Sequence, residues 1–323
     1  MDYINLYNEQ LPFVYNKWQG NKYIDNKFSN LDSSVPHIKL WDILKWQITR
    51  KKDVFASQSK NFKLEVIKEI DTNDDENSFI MWLGHATFFI KLGKLRFITD
   101  PVFYNIPFIK RFVNLPYDFN KIIADYVLIS HAHRDHLDVK SLKTLINNNE
   151  YLECVMPLKA SGISNIFKMR SLEMGWFQEY KINNDLSIIF FPAKHWHKRL
   201  INDFNKVLWG SYLIKYKELS IFFAGDTAYS QHFKVINSIV GSIDYCLLPI
   251  GAYKPQHIMK ESHLSPLEAI NAFNDLKGKH FIPMHYATFD LSDERLDEPL
   301  MELQNNIDPS ILRILYIGQK LAI

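Results

Sequence analysis

Residues 131 to 136 of this 323-residue chain read His131-Ala132-His133-Arg134-Asp135-His136. Three imidazoles and a carboxylate are ligand types that divalent zinc prefers, and six residues hold too many of them for a single ion. In extended backbone His131 and His133 point the same way. Asp135 and His136 follow the point where the chain begins to turn, so they can face a second ion roughly 3.5 to 4 Å from the first, as in two-metal hydrolases. The stretch therefore predicts a site for two metal ions.

Further metal-competent side chains each follow a predicted strand. His195 and His197 both come after one apolar strand, and the residues alone leave either of them open as the ligand. Asp226 follows the next strong strand, and His285 ends another. Because side chains at strand ends converge on one rim of a layered α/β fold, we expect these positions to join the stretch that begins at His131.

Strands alternate with helical segments after residue 70, which predicts a layered α/β architecture. We expect residues 71–323 to form one catalytic domain, wrapped by an N-terminal extension of residues 1–70 that contains a short helix at 40–49. Asp138 and Ser265 are suited to cap the first turns of two helices. The predicted strands are 79–83, 86–92, 95–99, 126–130, 154–157, 186–191, 207–216, 220–224, 245–249, 281–284 and 313–316, and the other predicted helices are 139–147, 158–167, 231–240 and 266–276.

Composition excludes several classes of protein. The net charge of +2, from 38 Lys plus Arg against 36 Asp plus Glu, gives no basic surface, so we expect no nucleic-acid partner. Cys154 and Cys246 stand far apart, which argues against a disulfide framework and suits a reducing compartment. A secretory signal and an apolar stretch long enough to span a bilayer are both missing from the sequence pattern. We therefore expect a cytoplasmic protein, and the sequence leaves open whether it forms a homodimer.

The segment from Phe103 to Phe119 combines apolar bulk with cationic side chains. Such a segment can rest on an anionic lipid surface, line an acyl channel or cover the core. The sequence does not choose among these three roles, so peripheral contact with the inner face of a membrane stays open beside the cytoplasmic location.

The order of the metal-competent residues resembles the metallo-β-lactamase superfamily, in which two mixed β-sheets pack face to face with helices on both outer sides, an αββα sandwich. Shorter motifs resemble the N-acyl-phosphatidylethanolamine-hydrolysing phospholipase D family within it. These motifs are Trp82-Leu83-Gly84-His85-Ala86-Thr87, His195-Trp196-His197-Lys198-Arg199, Trp209-Gly210-Ser211, Phe223-Ala224-Gly225-Asp226-Thr227 and Pro249-Ile250-Gly251-Ala252-Tyr253-Lys254-Pro255. Residues 286–299 resemble the C-terminal region of the same family.

The resemblance implies two zinc ions, with iron or manganese open as the native metal. It favours His195 over His197, because the Lys198-Arg199 pair that follows fixes the register of the motif. It also implies catalytic roles for Asp135, Asp226 and His263. The implied ligands are His131, His133 and His195 for the first zinc, and Asp135, His136 and His285 for the second, with Asp226 bridging the two.

The same resemblance implies a phosphodiesterase of phospholipase D type, which cleaves N-acyl phosphatidylethanolamine or a related lipid to phosphatidic acid and N-acylethanolamine. His263 would face the substrate phosphate, and Arg134 would add a bidentate phosphate donor if it faces the pocket. The chain departs from the family at Ala132 and Arg134, where Asn and Tyr are expected, so contacts beside the metals are expected to differ.

Other functions fit parts of the same pattern. A metal-dependent lactonase or a soluble phosphodiesterase of the superfamily would keep the metals and change the substrate. A non-catalytic metal-binding interaction module is the alternative from another class, although the complete ligand set argues against it. The balanced charge argues against a nuclease.

Overall fold

The computed structural model describes residues 3–34, 40–50, 59, 62–72, 77–164 and 170–323. The strands within these residues are β1 (Tyr3–Leu6), β2 (Asn21–Ile24), β3 (Lys27–Phe28), β4 (Phe79–Trp82), β5 (Phe88–Leu92), β6 (Leu95–Thr99), β7 (Tyr126–Leu128), β8 (Glu153–Pro157), β9 (Arg170–Met174), β10 (Gln178–Lys181), β11 (Leu186–Phe191), β12 (Ser211–Tyr216), β13 (Leu219–Phe223), β14 (Ile243–Pro249), β15 (Gly278–Met284) and β16 (Lys320–Ala322). The helices are α1 (Leu40–Thr49), α2 (Val139–Asn148), α3 (Ser161–Ser164), α4 (His232–Val240), α5 (Gln256–Met259), α6 (Pro266–Asp275) and α7 (Glu298–Asn306), with a 3₁₀ turn at Phe119–Lys121.

Two large sheets pack face to face to form the core. One has the strand order β16-β4-β5-β6-β7-β8-β9 and the other runs from β10 to β15 in sequence order, while β1 to β3 form a small separate sheet. Successive side chains of a strand point to opposite faces. Phe88 accordingly faces Phe223 of the other sheet, with ring centroids 6.5 Å apart, while Phe89 packs outward with Leu142 of α2. Helix α6 covers the outside of β14 and β15. This arrangement confirms the predicted αββα sandwich.

The strand directions place one set of strand ends on a common edge. In the first sheet β5 is antiparallel to both β4 and β6, and β6 is parallel to β7, so β4, β6 and β7 end on the same side. In the second sheet β11 and β13 both run antiparallel to β12, and β13, β14 and β15 are parallel. The segments that follow these strands therefore lie together, as side chains at strand ends were expected to do.

The local signals for helix starts are confirmed. Asp138 accepts a hydrogen bond from the backbone N of Ser141 at 2.9 Å, which caps α2. Ser265 and Glu268 form a reciprocal capping box at the start of α6. The helix predicted at 40–49 is present as α1.

The predicted strand at 313–316 is wrong. Leu312 is paired with Phe281 of the six-stranded sheet, whereas Lys320 pairs with Met81 of the seven-stranded sheet. Arg313 still donates its N–H to the carbonyl of Phe281 at 2.8 Å, but the residues that follow it connect the two sheets and form no strand. The last strand is β16, further along the chain.

Other boundaries also differ from the prediction. Of the strand predicted at 207–216, residues 207–210 are not strand, because Leu208 and Gly210 donate their N–H groups to the carbonyls of Leu158 and Ser130 instead of to a neighbouring strand. Of the helix predicted at 158–167, only α3 is helical among described residues, and 165–167 lie outside them. Strands β1 to β3, β9 and β10 and helices α5 and α7 were not predicted.

The N-terminal residues contact the two-sheet unit at several points. Phe13 forms a bridge with Gln178, and Val66 forms one with Ile317. Arg50 pairs with Asp290 at 2.6 Å, with both side chains largely buried. The domain boundary at residue 70 stays a prediction.

The segment from Phe103 to Phe119 has two kinds of surroundings. Phe103, Ile106 and Phe119 are buried against the core, whereas Phe108 is fully exposed. The segment is thus partly a cover for the core, and its contact with a membrane stays a prediction. Among the described helices, none has the length and hydrophobicity required to cross a bilayer.

Candidate metal centre

The loop of residues 131–136 leaves the end of β7 and tightens into a helical turn before α2. Leu137 donates its N–H to the carbonyl of His133 at 2.8 Å, which closes that turn. The guanidinium of Arg199 holds the loop from outside, since its Nη1 donates to the carbonyls of Ala132 at 3.1 Å and Leu137 at 2.8 Å. The loop is therefore fixed by the following helix on one side and by Arg199 on the other.

Three histidines form what we call the first cluster: His131, His133 and His195. His133 Nδ1 lies 3.0 Å from His131 Nε2 and 3.1 Å from His195 Nε2. The outward nitrogen of His195 donates to the carbonyl of Ser262 at 2.9 Å. His197 lies farther out, with its ring centroid 6.5 Å from that of His133 and its Nδ1 donating to the carbonyl of Asp203. The structure thus places His195, not His197, in the cluster.

Four residues form the second cluster: His85, Asp135, His136 and His285. Asp135 Oδ2 lies 3.6 Å from His136 Nε2 and 3.7 Å from His285 Nε2. His85 Nε2 is 3.1 Å from the same oxygen. One donor atom from each of the four residues lies within 4.8 Å of the other three, close enough for a common metal ion.

Asp226 stands between the two clusters. Its Oδ2 is 3.1 Å from His136 Nε2 and 3.8 Å from His131 Nε2, while its Oδ1 is 3.1 Å from His285 Nε2. The carboxylate is buried and follows the Gly225 turn after β13. Asp226 therefore has the position required of a group that contacts ions in both clusters.

Burial and charge set the protonation of the clusters in opposite ways. Burial lowers the pKa of His133 to about 3 and holds the pKa values of His131 and His195 well below the usual range. Burial also opposes the charged form of His285, but the carboxylates of Asp226 and Asp135 outweigh it and raise its pKa to about 9. The histidines of the first cluster are therefore neutral at pH 7, whereas in the second cluster the positive charge of His285 is balanced by the negative charge of the carboxylates.

Asp100 is a buried group that orients both clusters and that the sequence reasoning missed. Its Oδ2 accepts from His136 Nδ1 at 2.7 Å and from the hydroxyl of Ser130 at 2.5 Å. That hydroxyl accepts in turn from His131 Nδ1 at 2.9 Å. Contacts of this kind on the outward nitrogen fix the tautomer of metal-binding histidines.

His85 and Asp100 could have been found with the signal that located the other residues. Asp100 follows directly on β6 and His85 follows closely after β4, and both strands end on the common edge of the sheets. His85 also lies inside one of the motifs that resemble the phospholipase family. Neither residue belongs to the six-residue stretch, and neither was assigned a role.

The residues present fit divalent metal ions. Zinc takes imidazole nitrogen and carboxylate oxygen, and imidazole binds it in the neutral form found in the first cluster. Within the described residues, His136 Nε2, His285 Nε2 and Asp226 Oδ1 are buried and lie close together, but none of them has a partner that meets the geometry of a hydrogen bond. Buried polar atoms left unpaired are costly, and a cation between the clusters would satisfy them.

A cavity of about 380 Å³ opens onto the centre. His263 lines it, with Nδ1 3.8 Å from Asp226 Oδ2, and burial lowers its pKa to about 4. Arg134 and Lys198 also line the cavity, Arg134 as an exposed side chain. Much of the remaining wall is apolar and includes Trp46, Ile109, Trp196, Ile258, Met259 and Leu291.

The fold and the buried histidine and aspartate clusters define a class of metal-dependent hydrolases. The model of the beta-lactamase superfamily domain matches residues 96–286, more than half of the chain. The chain therefore belongs to the metallo-β-lactamase superfamily, and the expectation of a hydrolase is confirmed.

Similarity to individual proteins is more specific. The N-acyl-phosphatidylethanolamine-hydrolyzing phospholipase D 1 of Caenorhabditis elegans is 29% identical over 256 residues, which are 74% of this chain and 72% of that protein. The mitochondrial N-acyl-phosphatidylethanolamine-hydrolyzing phospholipase D of Saccharomyces cerevisiae is 32% identical over 240 residues, 69% of this chain but only 50% of that protein. The resemblance to this phospholipase family is thereby confirmed.

A solved structure, that of the metallo hydrolase Igni18 from Ignicoccus hospitalis, superposes with a TM-score of 0.60 at 19% identity. The superposition covers 76% of this chain and 98% of that chain. At this identity the likeness supports the fold alone.

Proposed function

We propose that the protein is a dinuclear zinc phosphodiesterase of phospholipase D type. Its substrate would be N-acyl phosphatidylethanolamine or a related lipid, and its products phosphatidic acid and an N-acylethanolamine. The observation that carries the proposal is that both clusters adjoin a cavity with cationic side chains beside the centre and apolar side chains around it. A phosphodiester joined to acyl chains has the same division between anionic and apolar parts.

The first zinc would be held by His131, His133 and His195 and the second by Asp135, His136 and His285, with Asp226 contacting both. Zinc in such a centre lowers the pKa of water from about 15.7 to roughly 7 and neutralises charge on phosphate oxygens.

His263 and Arg134 would bind the phosphate. Because burial keeps His263 neutral at pH 7, it is suited to donate one hydrogen bond to a non-bridging oxygen rather than to deliver a proton from an imidazolium. Arg134 and Lys198 add positive charge at the cavity, which attracts an anionic headgroup.

Helix α1 supplies part of the apolar wall through Trp46. Its indole Nε1 donates to Asp293 Oδ2 at 2.5 Å, and Arg50, just after the helix, pairs with Asp290 at 2.6 Å and with Asp293 at 3.1 Å. Leu291, between these two aspartates, lines the same cavity. The helix and the 290–293 segment are therefore joined beside the site, where an acyl chain would lie.

The test is mass spectrometry of the products after zinc-loaded protein meets N-acyl phosphatidylethanolamine in detergent micelles made with ¹⁸O water. We expect paired phosphatidic acid and N-acylethanolamine, with the label in phosphatidic acid because attack occurs at phosphorus. Label in the N-acylethanolamine would contradict attack at phosphorus.

Two parallel reactions, with bis(p-nitrophenyl) phosphate and with a lactone, separate the alternatives. The protein could be loaded with two zinc ions per chain and turn over the soluble diester or the lactone but not the lipid. That result would replace the proposal of a lipid substrate. Asp226→Ala serves as the inactive control, provided that its circular dichroism matches the parent protein.

A further inference from the structure

His85 is a buried histidine for which the ligand set above has no role. It is 2% exposed and has a backbone φ of +55°, in the left-handed region that is uncommon for residues other than glycine. Its N–H donates to Thr288 Oγ1 at 3.0 Å, and its carbonyl accepts from the indole of Trp82 at 2.9 Å and from the N–H of His285 at 3.1 Å. His285 itself has a φ of +60°. Two strained residues are thus bonded to each other, and such strain collects at functional sites.

The His85 ring presents its Nε2 to the second cluster. That atom is 3.1 Å from Asp135 Oδ2, and the ring centroid is 4.0 Å from that of His285 and 5.2 Å from that of His136. A spacing of 3.0 to 3.1 Å also separates the inward atoms of the first cluster. The distance from His85 Nε2 to Asp135 Oδ2 is therefore the same as that between the nitrogens of the first cluster, which face a common metal position.

In three of the histidines of this centre, an orienting contact is made by the ring nitrogen opposite the one that faces the metal position. His131, His136 and His195 all use their Nδ1 to reach Ser130, Asp100 and the carbonyl of Ser262, which leaves Nε2 facing inward. His85 also turns Nε2 inward, toward the carboxylate oxygen that the other members of the cluster face. Its orientation is that of a ligand rather than of a residue that supports a ligand from behind.

We propose that His85 is an additional protein ligand of the second metal position, beside Asp135, His136 and His285. Together with Asp226, the second position then has five protein donors, whereas the first has three histidines and Asp226. A position with three imidazoles and two carboxylates holds ions that take five or six ligands, such as iron(II) or manganese(II), as well as zinc. The two positions therefore differ in coordination, whatever the substrate is.

The experiment titrates metal-free full-length protein with cobalt(II) and records visible absorption, because d–d bands report the number and type of ligands. The variant is His85→Asn, since Asn tolerates the left-handed backbone but its amide does not reach as far as the ring. The matched control is His280→Asn, in which a half-exposed histidine of β15 outside both clusters is changed in the same way. We expect two cobalt ions in the parent and in the control.

In His85→Asn we expect the first cobalt to bind as in the parent and the band of the second cobalt to change. The second cobalt should bind at least about tenfold more weakly, which is the loss caused even by removing a residue that only supports a ligand. Unchanged affinity for the second cobalt would overturn the proposal. Weaker binding with an unchanged band would also overturn it, because His85 would then act by positioning Asp135. Retained binding of the first cobalt and an unchanged circular dichroism spectrum show that the variant has folded.

A measurement on the parent protein covers the case in which the variant does not fold. In the cobalt-loaded protein, each histidine ligand gives one strongly shifted imidazole N–H resonance in the proton NMR spectrum. Five such signals would come from His131, His133, His136, His195 and His285. A sixth signal is expected from His85, and its absence would refute the assignment.

Discussion

Replacing Asp100 with asparagine should weaken metal binding at the second position more than at the first. Asp100 Oδ1 accepts from the backbone N of Ser130 at 2.7 Å, and Oδ2 accepts from His136 Nδ1. In Asp100→Asn the amide oxygen can replace only one of the two carboxylate oxygens. If it stays on the Ser130 N–H, the amide NH₂ faces His136 Nδ1, which must then lose its proton. The proton moves to Nε2, the inward nitrogen, and a protonated nitrogen does not bind metal.

The size of the effect follows from the contact that is lost. Removing the outward partner of a metal-binding histidine costs about tenfold to a hundredfold in metal affinity, which is about 1.4 to 2.7 kcal/mol. His136 belongs to the second cluster, so the loss should fall on the second ion. His131 should change less, because it contacts Asp100 only through the Ser130 hydroxyl.

The assay is titration of metal-free protein with zinc against a chromophoric chelator, which gives separate affinities for the two ions. Asp244→Asn is the matched control, because Asp244 accepts from both the N–H and the hydroxyl of Ser220 at 2.8 Å, far from the metal centre. We expect the control to bind both ions as the parent does. Parent-like affinity for the second zinc in Asp100→Asn would refute the role given to His136 and its tautomer.

Three further outcomes are expected. Trp46→Ala should raise KM for the lipid roughly fivefold, because about 40 Å² of lost apolar contact corresponds to about 1 kcal/mol, and it should leave KM for bis(p-nitrophenyl) phosphate unchanged. The control is Trp41→Ala, which changes an exposed residue of the same helix. An equal effect in both variants would contradict contact between Trp46 and an acyl chain. Arg199→Lys should lower the unfolding temperature and weaken binding of both metal ions about tenfold. A zinc titration like that of the parent would contradict the proposal that Arg199 fixes the loop of residues 131–136. Metal-free protein should melt highest near neutral pH. Because the pKa of His133 is about 3 in the folded state and about 6.5 in the unfolded state, the folded state loses stability as pH falls below about 6.5. Because the pKa of His285 is about 9 in the folded state, the stability that its protonated form contributes is lost as pH rises through 9. Melting temperatures measured in chelator from pH 5 to 9 would contradict this if they rose or fell throughout.

Sequence patterns predicted those features that depend on neighbouring residues. The N-caps at Asp138 and Ser265 are formed within one turn of helix, so their signal is complete in a few letters. The strand at 313–316 shows the limit of such signals. Its side chains favour a strand, but a strand also needs a partner, and these residues run between two sheets.

The sequence by itself determined that six consecutive residues carry three histidines and an aspartate at the end of a strand, and this stretch was enough to indicate a metal site. The positions of His195, Asp226 and His285 after predicted strands also indicated that they would join this stretch. Only the tertiary structure showed that they do, and that His85 and Asp100 lie with them, because strand direction controls which distant residues share an edge. Parallel β4, β6 and β7 bring His85 and Asp100 beside the stretch, and parallel β11, β13 and β15 bring the remaining ligands across from the other sheet. Strand position alone did not separate His195 from His197, since both follow the same strand; the family resemblance favoured His195, and the three-dimensional path of the chain turns that residue inward.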